Sequence, residues 1–228
     1  MADKKKFDFV KVLETIHLTH LKNLAENNLS TNNGNQFFCV DTYTALKTFI
    51  SKSLKGRSIE KDVCIAFAHM VYGWMPTILN EANDEIGKWA DKDWARIKVC
   101  LKNVESGEKL SIGELKNVMV LTNNSIVGTS KLLHFINPDV YPIYDSRVFH
   151  AIRKLARDKK KTEDSNTVND VNKYFAYVEC VHRVINEDED GQSLIEMKKQ
   201  LKEGGFVDDE ASNVRVIEVL LYINGKEE

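Results

Sequence analysis

The spacing of apolar residues is the feature that most restricts the fold of this chain. They recur every three or four positions along most of the 228 residues, and no segment sustains an apolar–polar alternation at period two. The first such stretch runs from Phe9 to Leu24, and the polar run 26–36 that follows indicates a loop. Only 3 prolines and 11 glycines are present, and so low a density of helix breakers favours long helices. The sequence therefore predicts an all-α protein.

Capping and breaker residues set the predicted helix boundaries. Asp41 is expected to be the N-cap of the second helix, which Gly56 ends. A link at 137–145 holds two of the three prolines and separates the later helices from the earlier ones. The remaining helices are expected at about 59–72, 77–102, 111–121, 126–135, 146–159, 166–186, 191–203 and 208–224.

Composition places the chain among globular proteins. The hydrophobic fraction of 43% and charged fraction of 29% are ordinary for such a domain, and the length suits a single globular unit, 1–228, which we expect to be a monomer. No apolar run has the character of a signal peptide or a membrane span, so we expect a cytoplasmic protein with no membrane partner. The four cysteines are far apart and are expected to be reduced core thiols: Cys39, Cys64, Cys100 and Cys180.

Charge is unevenly distributed along the chain. The formal net charge of −2 argues against a nucleic-acid partner, because a protein that neutralises phosphates normally carries a basic excess. The segment 147–161, in contrast, contains seven basic residues and one acid. Within it, Arg153, Arg157 and Lys161 recur every four residues on one predicted helix face. Two interpretations stay open for this face: it follows a DNA backbone, or it is an ordinary solvated helix surface.

One segment, 112–152, combines features that point to chemistry. It reads as a helix, a tight polar turn, a second helix, a proline-bounded link, an aspartate and a third helix. The matching parts are GTSKLL at 128–133 and YPIYD at 141–145. Over about 35 residues this order resembles the helix-hairpin-helix DNA glycosylase superfamily.

The resemblance implies both an activity and a fold. The activity is hydrolysis of the N-glycosidic bond of a damaged or modified base flipped out of double-stranded DNA, without a cofactor. Some members hold an iron–sulfur cluster through four closely spaced cysteines near the carboxyl end; this chain has only Cys180 there, so no cluster is expected. The implied fold is two-layered, with a helical barrel at 59–160 that includes the hairpin 112–136 and the catalytic link 137–145, and a second helical subdomain from 1–58 and 161–228.

The hairpin is expected to bind one DNA phosphate. A tight turn between helices exposes backbone N–H groups, and the start of the next helix adds a partial positive charge, so the two can hold a phosphate without reading sequence. The glycine-bracketed turn of the superfamily is replaced here by Asn-Asn-Ser, which can still adopt the left-handed backbone. The expected DNA-binding residues are Asn123, Asn124, Ser125, Ile126, Val127, Gly128 and Thr129 in the hairpin, and Arg147, Arg153 and Arg157 after it.

By resemblance, Asp145 is the catalytic carboxylate. Cleaving the N-glycosidic bond develops positive charge on the sugar, and an ionised carboxylate can stabilise that charge or orient the attacking water. Asp145 also stands where a helix N-cap is expected, and the two roles are compatible. Members that also cut the strand carry a nucleophilic lysine where this chain has Ile126 or Val127, so base removal alone is predicted. Lys131 is the fallback nucleophile, or else a phosphate contact or a solvated lysine.

Three aromatic residues are candidates for contact with the extruded base. Tyr72 and Trp74 stand at a predicted helix end, and Tyr144 precedes the catalytic aspartate. They can stack on the base or wedge into the gap that it leaves, although aromatics at helix junctions also commonly belong to the core.

A metal site has weaker support. Glu14, His17 and His20 recur every three residues on the first helix, a spacing that suits a metal within a helical bundle. Such a site needs a matching set on a second helix, and the sequence offers none. We therefore expect no metal.

A second function stays open on sequence alone, namely a non-catalytic helix-hairpin-helix module that binds DNA or protein. The near-neutral net charge and the altered turn favour this module. The aspartate at the matching spacing favours the enzyme. No phosphate-loop, dinucleotide or G-x-S-x-G motif points to another class.

Overall fold

The computed structural model of the protein describes residues 8–28, 40–54, 59–74, 91–155 and 167–225. Within these ranges the chain forms eleven α-helices, one short 3-10 helix at Val120–Thr122 and no strand, which confirms the all-α prediction. The α-helices are α1 (Phe9–Thr15), α2 (Leu18–Asn28), α3 (Val40–Leu54), α4 (Lys61–Gly73), α5 (Asp91–Glu105), α6 (Ile112–Met119), α7 (Ile126–Ile136), α8 (Ser146–Leu155), α9 (Val171–Asn186), α10 (Gln192–Glu203) and α11 (Asn213–Asn224).

The chain divides into two compact units. Unit 1 comprises 1–38 and 144–228, and unit 2 comprises 39–143. The expected boundaries, at 58 and 160, differ from these because of two helices. α3 packs on α7 and so belongs to unit 2, whereas α8 packs on α1 and α11 and so belongs to unit 1.

Unit 1 is organised around α11. This helix is apolar on nearly all sides, as expected of a helix buried in a core, and α2, α8, α9 and α10 pack against it. The Ser212 hydroxyl caps its start by accepting a hydrogen bond from the Arg215 N–H at 3.1 Å. Arg215 and Glu218 are themselves buried and form an ion pair of 2.5 Å within the helix. Each charge therefore compensates the other where both side chains are almost fully buried.

The first predicted helix is broken in two, because side chains at the carboxyl-terminal end of α9 bind the backbone at the break. Ile16 has an extended backbone (ψ 125°) between α1 and α2. The Arg183 guanidinium donates to the carbonyls of Leu13 and Ile16 at 2.9 and 2.7 Å. The Glu187 carboxylate accepts from the Leu18 N–H at 2.8 Å and pairs with Arg183 at 2.6 Å. The prediction of one continuous helix was wrong, since periodicity along one segment carries no information about a partner 170 positions away.

Capping residues account for other shifts in the helix boundaries. Asp41 was expected to cap α3, but the helix begins at Val40, so Asp41 lies in its first turn and that prediction was wrong. Asp170 caps α9 by accepting from the Asn172 N–H at 2.9 Å, which starts this helix five residues later than expected. Ser212 has the same effect on α11. The predicted stop at Gly56 lies outside the described residues.

Unit 2 is organised around α7, against which α3, α4, α5 and α6 pack. Its core includes a buried histidine. His134 Nδ1 lies 2.7 Å from the Tyr141 carbonyl and its Nε2 lies 2.8 Å from the Tyr43 hydroxyl. Because a carbonyl only accepts, Nδ1 carries the proton and the Tyr43 hydroxyl donates to Nε2. These bonds connect α3 and α7 to the link that follows α7.

No helix in the described part of the chain combines the length and the apolar character needed to cross a bilayer.

The contact between α9 and the α1–α2 break gives a first prediction. Burial alone would raise the pKa of Glu187, but the hydrogen bonds from Leu18 and His17 and the charge of Arg183 outweigh burial and lower it. A carboxyl with a lowered folded-state pKa stabilises the fold above its unfolded-state pKa, and this contribution is lost as the pH falls through the lowered value. Glu187→Gln should therefore reduce the free energy of unfolding by about 1–2 kcal/mol at neutral pH.

Urea unfolding of the wild type and the variant measures this effect. The difference between them should shrink as the pH falls to about 3, where the wild-type carboxyl is increasingly protonated. Glu196→Gln, on the exposed side of α10, removes the same charge without these contacts and serves as the control. A difference that stays constant with pH, or equals that of the control, would contradict the explanation.

Candidate functional site

The hairpin turn joins α6 to α7 through two consecutive asparagines with a left-handed backbone. Asn123 and Asn124 both have φ of 54°. The Asn124 N–H donates to the Met119 carbonyl at 2.9 Å, and the Ser125 N–H donates to the Thr122 carbonyl at 2.8 Å. Asparagine is among the few residues other than glycine that adopt this backbone. The turn therefore takes left-handed geometry despite its lack of glycine.

Ser125 caps the start of α7. Its hydroxyl accepts from the Gly128 N–H at 3.2 Å, and its carbonyl accepts from the Thr129 N–H at 2.9 Å. Gly128 and Thr129 are buried and both of their N–H groups have acceptors, so they support the turn rather than face a phosphate. Ile126 is also fully buried. The Val127 N–H, in contrast, has no acceptor among the described residues.

Tyr72 braces the turn from α4. Its hydroxyl donates to the Thr122 carbonyl at 2.8 Å. A Cβ atom on Gly128 would lie only 2.7 Å from this hydroxyl and 3.0 Å from the Thr122 Cβ, so glycine is needed for the close approach. Tyr72 is 5% exposed. Its expected role in stacking on a base does not fit, because its ring lies in the core and its hydroxyl holds the turn.

Trp74 and Lys131 lie together on the surface of unit 2. Trp74 is half-buried at the end of α4, and the Lys131 ammonium lies 5.4 Å from the centroid of its ring. The Phe135 ring contacts the same ring in a T-shaped arrangement, with 5.4 Å between the centroids. Trp74 therefore keeps part of its surface available, and an ammonium group stands beside it.

Tyr144 belongs to the core of unit 1. It has no exposed surface and packs against Tyr174 and Tyr177, with ring centroids 5.9 and 5.6 Å away. Burial raises the pKa of Tyr144, and the charges of Asp170 and Asp145 raise it further. The expectation that it contacts a base is therefore not met by its position, because an enclosed ring cannot stack on a nucleotide.

Asp145 stands at the start of α8. Its Oδ1 accepts from the Val148 N–H at 3.0 Å, and its carbonyl accepts from the Phe149 N–H at 2.9 Å. The carboxylate is half-buried. No described residue forms an ion pair with it, and Val148 is the one described donor to its side chain. One carboxylate oxygen is thus fixed by the cap, while the charge is left without a cationic partner in the described part of the chain.

Arg147 follows in the first turn of α8 and contacts Tyr222 of α11. Its guanidinium carbon lies 4.6 Å from the Tyr222 ring centroid, which is a close cation–π contact. Burial raises the pKa of the Tyr222 hydroxyl, and Asp145 adds to this while Arg147 opposes it, so both charges act on the same ring. Sequence reasoning missed Tyr222, because no motif or spacing relates it to a segment 75 residues earlier.

The two remaining basic residues of the predicted site, Arg153 and Arg157, add little to this arrangement. The Arg153 guanidinium lies 5.7 Å from the centroid of the Phe149 ring and is half-buried. Arg157 lies outside the described residues. The predicted residues thus form two sets. The hairpin, Trp74 and Lys131 are in unit 2, and the set in unit 1 is Asp145, Arg147 and Arg153.

The histidines and cysteines have structural contacts. His17 Nδ1 lies 3.0 Å from the Glu187 carboxylate, and the His17 N–H donates to His20 Nδ1 at 3.1 Å. The described residues contain no group of three or more potential metal ligands. Three of the four cysteines are described, and all three are buried free thiols. Burial raises the pKa of Cys64 to about 12 and that of Cys180 to about 11, so both thiols are protonated at neutral pH and are poor nucleophiles.

Comparison with protein-family models, with curated proteins and with solved structures gives no match for this chain.

The close approach at the turn gives a second prediction. Gly128→Ala should lower the free energy of unfolding by about 1–3 kcal/mol, because the added methyl group displaces Tyr72 and loosens the turn. Gly113→Ala is the matched control, since Gly113 is an exposed glycine in α6 where an added Cβ would meet only the Ser111 hydroxyl, at an ordinary contact distance of 4.0 Å. There, alanine should be neutral or stabilise the fold by up to about 1 kcal/mol.

Chemical denaturation of both variants measures these changes. Adding Tyr72→Phe to Gly128→Ala should recover part of the loss, because it removes the atom that the methyl group meets first. Equal stabilities for the two alanine variants would show that the approach at Gly128 is not tight.

Proposed function

We propose that this protein is a monofunctional DNA glycosylase of the helix-hairpin-helix kind. It swings a damaged or modified base out of double-stranded DNA and hydrolyses the N-glycosidic bond. The two-layer glycosylase-like fold is part of this proposal. The observation that carries it is the turn at Asn123 and Asn124, where two non-glycine residues in succession hold the left-handed backbone that a phosphate-binding hairpin uses.

The local geometry of the turn supports phosphate binding. Non-glycine residues with left-handed backbones cost free energy and persist where the surrounding structure enforces them, often at ligand sites. Here the Tyr72 hydroxyl and the Ser125 cap enforce the turn. The Val127 N–H then remains at the positive end of α7, where an anion is favoured. A phosphate held in this way fixes the DNA backbone without selecting a sequence.

The state of Asp145 supports a catalytic role. The cap from Val148 fixes one carboxylate oxygen, so the group needs little reorganisation when charge develops nearby. The absence of an ion pair within the described residues leaves its negative charge available to an oxocarbenium-like sugar. The other oxygen can orient the attacking water. The proton released by that water passes to the carboxylate or to solvent, and the base leaves with its bonding electrons.

Lys131 is assigned to substrate binding rather than to covalent chemistry. Its ammonium group rests over the Trp74 ring, an arrangement that suits a contact to a phosphate next to a stacked base. A Schiff-base nucleophile would need the neutral amine.

One observation favours the alternative of a non-catalytic DNA- or protein-binding module. Asp145 is a well-formed N-cap, and capping alone is a sufficient reason for an aspartate there. A cap needs only a side-chain acceptor at position 145, whereas catalysis needs the negative charge. Removing the charge of Asp145 while keeping the cap therefore distinguishes the two functions.

Asp145→Asn provides the decisive variant, because asparagine caps helices about as well as aspartate but lacks the charge. Wild-type protein is incubated with duplexes that bear a panel of lesions and modified cytosines, and abasic sites are then cleaved with alkali. Base release by Asp145→Asn should fall by about 100-fold or more, while DNA affinity stays close to that of the wild type. Asp170→Asn, which makes the same change at the cap of α9, should retain activity.

Each alternative result is informative. DNA binding without base release on the whole panel would favour the binding module. Equal turnover by the wild type and Asp145→Asn would show that another residue is the catalytic carboxylate.

The assignment of Lys131 gives a separate prediction. Lys131→Ala should weaken DNA binding by about two- to fivefold and leave base release from bound DNA measurable. No strand cleavage should occur without alkali in either protein. Alkali-independent cleavage by the wild type that disappears in Lys131→Ala would instead make Lys131 the nucleophile.

A further inference from the structure

The carboxyl-terminal end of α11 lies directly against the first turn of α8. A methyl group at Gly225 would overlap the Arg147 carbonyl group, so the two backbones meet with no room for a side chain. One turn earlier, Tyr222 presents its ring to the Arg147 guanidinium at 4.6 Å. Two contacts therefore fix Arg147, one through its backbone and one through its side chain.

The position of Arg147 is unusual for its charge. It lies in the first turn of α8, where the helix dipole disfavours a cation. It lies two residues from Asp145, yet the two side chains form no ion pair. In the described part of the chain its guanidinium makes the contact with Tyr222 and no hydrogen bond or ion pair. A contact with the ring face leaves the N–H groups at the guanidinium edge free to bind a ligand.

We propose that Tyr222 is a positioning residue that keeps Arg147 beside Asp145 but not paired with it. The guanidinium then binds a DNA phosphate next to the extruded nucleotide, and the carboxylate keeps its charge for the sugar. This inference rests on the proposed glycosylase function. Its ligand chemistry is specific, because the planar fork of arginine matches two phosphate oxygens, and a bound phosphate also offsets the cation–dipole repulsion at the start of α8.

The proposal predicts that the effect of replacing Tyr222 depends on the presence of Arg147. In Tyr222→Leu the ring face is lost, and the guanidinium is free to turn onto the neighbouring carboxylate. Both functions then suffer, since the phosphate loses its ligand and Asp145 loses its free charge. Tyr222→Phe keeps the ring face and should restore the wild-type behaviour.

DNA affinity is measured by fluorescence anisotropy over a range of salt concentrations for five proteins: wild type, Tyr222→Leu, Tyr222→Phe, Arg147→Ala and the Tyr222→Leu/Arg147→Ala double variant. Arg147→Ala should bind about three- to tenfold more weakly, and its salt-dependence slope should fall by about one. Tyr222→Leu should bind about threefold more weakly. The double variant should bind no more weakly than Arg147→Ala, because Tyr222 acts through that residue. Lys199→Ala, which removes an exposed charge from α10, is the control.

Two readouts separate positioning from a loss of structure. Thermal unfolding by circular dichroism shows whether each variant is folded. In the free protein, the Nε–H resonance of Arg147 should be displaced by the Tyr222 ring current, retained in Tyr222→Phe and lost in Tyr222→Leu. The inference is overturned if a folded Tyr222→Leu binds DNA like the wild type, if its loss adds fully to that of Arg147→Ala, or if Tyr222→Phe is as weak as Tyr222→Leu.

Base release measured on the same variants distinguishes this failure from failure of the proposed function. If the wild type couples Tyr222 to Arg147 in DNA binding but releases no base, the glycosylase proposal falls and the phosphate contact stands. If the wild type releases base and Tyr222→Leu does so at the same rate and affinity, the positioning role alone falls. If the wild type binds no DNA even at low salt, both fall.

Discussion

The backbone groups at helix ends are the constraint around which much of this protein is arranged. The described part of the chain is mostly helical, so it carries many N–H and C=O groups without intrahelical partners, and burying them unpaired is costly. Side chains supply the partners here: Asp170 and Ser212 at the starts of α9 and α11, and Arg183 with Glu187 at the α1–α2 break. In the last pair, Arg183 binds carbonyl groups at the end of α1 and Glu187 binds the N–H at the start of α2. One ion pair therefore determines where the two helices meet.

The candidate functional groups obey the same constraint. Ser125 caps the start of α7 and Asp145 caps the start of α8, so two residues of the candidate site also begin helices. Capping one N–H leaves others without an acceptor among the described residues, as at Val127, and such N–H groups can bind an anion. In this view a phosphate-binding turn needs no special residue beyond a cap and a backbone that reverses direction sharply.

Sequence alone identified what is encoded locally. Periodicity located the helices, because a buried stripe repeats along each one. The sequence also indicated that Asp145 begins a helix, because an aspartate after an extended, proline-bounded link is a local capping signal. The sequence-based predictions failed where the determining contact is distant. The break at Ile16 depends on Arg183, and the burial of Tyr72 and Tyr144 depends on helices that pack from elsewhere in the chain. The local sequence around an aromatic residue at a helix junction does not show whether the residue faces solvent or the core.

The same argument explains why Tyr222 could not be found from its own surroundings. It lies on a helix that is buried on nearly every side, so the pattern around it predicts only burial. Its relation to Arg147 arises because Gly225 lets the backbones of α8 and α11 approach, and a glycine directly after a helix indicates only that the helix stops there. A polar site assembled from helix ends therefore divides into two parts. The caps can be recognised in the sequence, because capping acts over three residues. The contact between Tyr222 and Arg147 can be recognised only once the packing of the helices is known.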